Sequence, residues 1–184
     1  MTVNEIPLSM RIPVPLKEGD ILEVPKCSLS PSFADEFNTN PLATIDKYMD
    51  TNYDVISNDY ALSRILFYHN SLNLTAITNF FLSRKPNQKS LLFYYFTSFN
   101  MDYMDLSNAA RIALSRIAFP NDKEAIQLII QTFCEAYLSH NNYFDIEIYD
   151  AFHLTRASIL FSLRAADNQE MTKADFQSIL NKSA

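Results

Sequence analysis

Residues 106–137 read LSNAARIALSRIAFPNDKEAIQLIIQTFCEAY, from Leu106 to Tyr137. An apolar helical pattern enters the knot Phe119-Pro120-Asn121-Asp122-Lys123-Glu124, and a more regular one leaves it. Pro120 lacks the N–H that a continuing helix needs, so the first helix, predicted over Leu106–Ile117, has to stop before it. Ala109, Ala110 and Ala113 would let a neighbouring helix approach closely. Asn121 is the predicted cap of the next helix, and Glu124 three residues on completes a capping-box pattern. Ile126, Ile129, Ile130, Phe133 and Tyr137 then recur at the helical period. Two carboxylates, Asp122 and Glu124, therefore stand where the second helix begins.

Working outward, the same punctuation recurs along the chain. Ser30-Pro31 is a helix-start signal, with a short helix expected to about Phe37. Asn40-Pro41 opens a second helix over Leu42–Met49. Asp59–His69 is a third, with Leu62, Ile65 and Leu66 on one face and Arg64 off it. Asn73 caps a fourth, Leu74–Leu82, and Ser83–Lys89 reads as a polar loop. Leu91–Phe99 carries Leu92, Tyr95, Phe96 and Phe99 at i, i+3, i+4 and i+7, an aromatic stripe that belongs in a core. After a loop over Ser139–Phe144, Asp145 is expected to cap a helix over Ile146–Leu163. Thr172 with Asp175 opens the last helix, to about Leu180. The expected fold is all-α, some nine helices with short connections, no internal repeat and no heptads. Residues 1–30 differ. They hold Pro7, Pro13, Pro15 and Pro25, half of the 8 prolines. An extended proline-rich segment is expected there, followed by one helical domain over 31–184.

Bulk properties narrow the functional classes. The chain has 184 residues and a formal charge of -6 without a long basic run, which disfavours nucleic acid as a partner. No stretch approaches 18 uninterrupted apolar residues, so no direct membrane insertion is expected. A single glycine, Gly19, excludes glycine-rich phosphate loops and dinucleotide fingerprints. Cys27 and Cys134 form no metal or disulfide pattern, and Cys134 lies in an apolar helical stripe as a buried thiol would. A reducing, cytoplasmic setting fits. His69, His140 and His153 show no metal spacing, and no cofactor is implied. His69 and His140 fall at predicted helix ends, where histidine satisfies terminal carbonyls. The acids at helix starts, Asp122 and Glu124 among them, have an ordinary use there, since the helix dipole favours negative charge at its N-terminus. The residues alone describe a helical interaction module.

The order of the pieces resembles the Sec-seven family, the domain that exchanges guanine nucleotide on Arf-type small GTPases. Phe37-Asn38-Thr39-Asn40-Pro41 is similar to its opening F-N-x-x-P. Leu72–Leu82 is similar to G-L-N-K-T-A-I-G-D-Y-L. Leu106–Tyr137 aligns without a gap around F-R-L-P-G-E-A-Q-K-I-D, and Met171-Thr172-Lys173 with Phe176 is similar to K-M-T-x-x-x-F. The resemblance implies exchange on an Arf-family small GTPase through an acidic finger, with Asp122 at the glutamate position. Asp122 keeps the charge and loses one methylene, about 1.3 Å of reach. Phe152–Ala166 is similar to a second motif, Y-V-L-A-F-S-I-I-M-L-N-T-D-L-H. There Arg156 replaces an aromatic, Ser162 the asparagine and Ala166 the histidine. The implied partner groove takes in Pro120, Asn121, Ile126, Ile129, Leu154, Ile159, Leu160 and Ser162. Exchange is expected to be slow, or selective for a GTPase that diverged with this chain, and peripheral at Golgi or endosomal membranes through that GTPase. Two alternatives stay open: a catalytically inactive helical scaffold or GTPase-binding module, and residues 1–30 as a lid over the groove.

Overall fold

The computed structural model describes residues 29–49, 52–143 and 145–166; the proline-rich segment and the expected final helix lie outside them, as do the side chains from Leu160 onward. Nine α-helices and no strand occur among the described residues. They are α1 Phe33–Thr39, α2 Pro41–Met49, α3 Tyr53–Ile56, α4 Asp59–Tyr68, α5 Leu74–Ser83, α6 Gln88–Phe96, α7 Leu106–Leu114, α8 Lys123–His140 and α9 Ile148–Ala166. The all-α expectation holds. The helices divide between two compact units, α1–α6 within Leu16–Asn100 and α7–α9 within a unit that includes Met101–Ala184.

In the first unit the punctuation works as polar chemistry. Asn58 Oδ1 accepts from the Tyr60 and Ala61 N–H groups at 3.0 and 3.2 Å, starting α4. Asn73 Oδ1 accepts from Thr75 N–H at 2.7 Å, starting α5. Each removes one or two of the unpaired donors that every helix start carries. The core between these helices is aromatic. The Phe67 ring meets Tyr95 at 5.3 Å and Phe99 at 4.6 Å, and Phe81 meets Tyr95 at 5.2 Å, all edge-on. The aromatic stripe is core, as its spacing predicts, although α6 starts at Gln88 and ends at Phe96. Phe99 stays buried just beyond the helix end.

Two expectations fail in this unit. The four-residue α3 is too short to carry a periodic signal and was not foreseen. Arg64, expected off the apolar face, is buried. Residues 62 to 67 of α4 are all buried, so the helix has no solvated side there to receive it. Its guanidinium lies 4.9 Å from the Tyr60 ring centroid, and Nη1 donates to the Tyr60 hydroxyl.

In the second unit α7 is shorter than predicted. The Arg116 and Ile117 N–H groups bond three residues back, to Ala113 and Leu114 at 3.1 and 3.3 Å, so the last turn tightens before Pro120. Ala109, Ala110 and Ala113 are fully buried where α7 packs against α8 and α9. Cys134 of α8 meets Thr155 Oγ1 of α9 at 3.5 Å, and burial pushes its thiol up to about 12. Asn141, buried just after α8, donates to the Met101 carbonyl at 2.9 Å and accepts from Tyr103 N–H at 3.0 Å. This holds the turn before α7 against the end of α8. Within that turn Tyr103 adopts φ 59°, a left-handed conformation that a bulky residue takes only when its surroundings impose it. His140 closes α8 with Nδ1 2.8 Å from Asp102 Oδ1, so a carboxylate rather than a helix carbonyl satisfies it.

Candidate functional site

The site begins at the connection between α7 and α8. Asp122, not Asn121, caps α8: with φ -83° and ψ 124° it is extended, and its Oδ1 accepts from Ala125 N–H at 2.6 Å. The capping box with Glu124 does not form, because the third helical position from Asp122 is Ala125. One residue decides the matter, since asparagine and aspartate cap equally well in sequence terms. Asp122 and Glu124 are both exposed, as is Asn121, while Pro120 is half-buried. The carboxylate of Asp122 thus sits in solvent at the positive end of an 18-residue helix.

Next to it lies a groove of about 490 Å³. On α8 it is lined by Lys123, Ile126, Gln127, Ile130 and Gln131, and on α9 by Ile148, Tyr149, Phe152, His153 and Arg156. Each set is one helical stripe, recurring at three and four residues. Lys123 follows Asp122 directly in the chain; Asp122 itself is not among the lining residues.

Ile126 lines the groove. Ile129 and Ile159, expected in a partner groove, do not line this one and are fully buried, as Ile126 nearly is. Leu154 is half-buried and does not line the groove, nor do Pro120 and Asn121. The Leu160 and Ser162 side chains lie outside the described residues. On α9 the stripe 148–149–152–153–156 faces the groove, while Ala151, Thr155 and Ile159 are buried. Arg156, which replaces an aromatic of the second motif, reaches the groove between its buried neighbours Thr155 and Ala157.

The lining is electrostatically one-sided. Among the described residues it contains Lys123, Arg156 and His153, and no carboxylate. His153 packs its ring 4.1 Å from that of Tyr149, and its buried Nδ1 has no hydrogen-bond partner among the described residues.

An all-helical domain with an acidic helix start one residue before Lys123 of a partly apolar groove matches a known class. The family model for the Sec7 domain matches residues 28–184. The chain belongs to the Sec7 domain family. It is 26% identical over 114 residues to ARF guanine-nucleotide exchange factor 2 of Saccharomyces cerevisiae. That match covers 62% of this chain and 8% of the yeast protein's length. The fold is similar to that of the crystal structure of the Sec7p catalytic domain, with TM-score 0.61 and 16% identity over 89% of this chain and 97% of that one. It is also similar to the Sec7 domain in a structure of ARF1-GDP bound to a Sec7 domain complexed with brefeldin A. There the TM-score is 0.66 and the identity 21%, over 80% of this chain and 76% of that one.

Proposed function

We propose that this domain accelerates GDP release from an Arf-family small GTPase, with Asp122 as the acidic group that enters the nucleotide site. The observation that carries the proposal is a solvent-exposed carboxylate capping α8, one residue before Lys123 of a partly apolar groove. The groove receives part of the GTPase surface and brings Asp122 towards the bound phosphates. Like charges a few ångström apart in a poorly solvated site repel by several kcal/mol. A carboxylate also competes for the magnesium environment that neutralises those phosphates. Release accelerates because the nucleotide-bound complex is destabilised relative to the nucleotide-free one, and no bond is broken.

The Asp122–Ala125 bond adds a cost to this mechanism. To extend towards a phosphate, Asp122 gives up its cap, worth about 1 kcal/mol. With the shorter side chain, this makes exchange slow or restricted to a GTPase whose phosphates come close. Residence at Golgi or endosomal membranes then follows from the GTPase. Among the described residues no helix is long and apolar enough to cross a membrane.

The test is release of fluorescent GDP from a panel of Arf-family GTPases, with the wild-type chain and with Asp122→Lys. Acceleration that the substitution abolishes is expected; acceleration that survives it removes Asp122 from the mechanism. A second reading draws on the same bond: if capping is the whole duty of Asp122, the domain is a GTPase-binding scaffold. It then binds nucleotide-loaded and nucleotide-free GTPase equally well, because catalysed release needs differential affinity.

A further inference from the structure

We infer that the α8–α9 groove selects a partner segment that carries a carboxylate between apolar side chains, with Arg156 as the specificity-determining residue. This deepens the exchange proposal, on which its biological setting rests. The open apolar surface of the groove comes from Ile148, Tyr149 and Phe152, above buried Ile126 and Ile130, which suits a protein segment better than a polyanion. Its charged members are both cations, Lys123 and Arg156, in a chain of 15 basic and 21 acidic residues. The acids nearest in sequence, Asp122, Glu124, Glu147 and Asp150, are exposed at helix starts and do not line the groove.

Among the described residues no hydrogen bond or ion pair engages the Arg156 guanidinium or the Lys123 ammonium. Water serves them while the groove is open. A partner that covers the groove removes that water, and an enclosed cation without an acceptor is strongly unfavourable. A carboxylate meets a guanidinium in two parallel charge-assisted hydrogen bonds, restoring what desolvation takes away. The buried, unpartnered Nδ1 of His153, three residues before Arg156, marks a second polar position without a mate. A partner with lysine, arginine or only apolar groups at this place is rejected by the unpaired charge.

The experiment uses the full chain and two fluorescent amphipathic helical peptides with the same apolar pattern. One has glutamate and the other lysine at the central polar position. Anisotropy at low salt should show the acidic peptide binding at least about tenfold more tightly, as expected of a desolvated charge pair. Arg156→Gln should remove the preference and Arg156→Glu reverse it, with unchanged unfolding midpoints showing that both variants fold. Equal affinities, binding of neither peptide, or a preference indifferent to both substitutions would overturn the inference. So would Arg156-dependent binding to phosphatidylserine vesicles in place of the acidic peptide, which would assign the groove to a lipid surface. Loss of peptide preference with Asp122→Lys still abolishing exchange refutes the selectivity alone. A retained preference with exchange indifferent to Asp122→Lys refutes the finger alone.

Discussion

The α1–α6 unit and the α7–α9 unit solve the packing problem in opposite ways. The first interlocks large rings: Phe67, Phe81, Tyr95 and Phe99 meet edge-on at 4.6 to 6.2 Å and are essentially closed to solvent. The second uses Ala109, Ala110 and Ala113 for close approach in its interior, yet leaves about 490 Å³ open between α8 and α9. Isoleucine and phenylalanine occur in both. The difference lies in what faces them. In the first unit an aromatic ring faces an aromatic ring. In the second, Ile148, Tyr149 and Phe152 stay partly open and share their face with glutamines, a histidine and two cations that have no partner among the described residues. Apolar residues alone therefore do not distinguish a core from a binding groove; the polar residues interleaved with them do.

The largest expected effect tests the closed side of this comparison. Phe67→Ala should cost about 3–5 kcal/mol in urea unfolding, because it opens a cavity among rings that cannot collapse. Phe152→Ala, half-buried in the groove, should cost less than half as much; equal losses would show that the groove is as much core as the aromatic cluster. Ala113→Leu should cost about 1–3 kcal/mol by forcing apart a close helix contact. A neutral result would mean the alanines are not the reason for that contact. Asp122→Ala should cost about 1 kcal/mol as the α8 cap is lost.

The smallest effect is a pH dependence. The Cys134 thiol has its folded value raised from 9.0 to about 12, so the folded state keeps a proton that the unfolded state releases. Its stabilising contribution is complete below the unfolded value and falls as pH rises from about 9 towards about 12. Cys134→Ala should flatten that part of the stability profile. Native-state alkylation at pH 8.5, located by peptide mass, should leave Cys134 unmodified until urea is added.

Much of the helical order was legible because its signals are local. Asn73, Asn40-Pro41 and Pro120 act within a few residues of where they stand, and the helices they start or stop follow. The aromatic stripe of α6 declared itself by spacing alone. Rotation about a helix axis was not legible. Ile126 and Ile129 belong to one apolar stripe and are both buried, and only the packing of α9 decides that the first underlies the groove and the second does not. Arg64 shows the same limit: an arginine in a helix predicts a solvated face, and neighbours distant in sequence removed it. At the site, the carboxylate at Asp122 could be read, but its capping bond could not, because Asn121 offered the same chemistry one residue earlier.

The most direct test of the central claim separates charge from capping at that one residue. Asp122→Asn preserves the cap acceptor and removes the charge, and asparagine caps as well as aspartate. Fluorescent GDP release should be measured on the most responsive Arf-family GTPase, alongside the unfolding midpoint. The account predicts an unchanged midpoint and a loss of acceleration on the order of 100-fold, the scale on which a displaced catalytic group acts. An unchanged midpoint with undiminished acceleration would contradict it, and would leave Asp122 as nothing more than the first residue of a well-made helix.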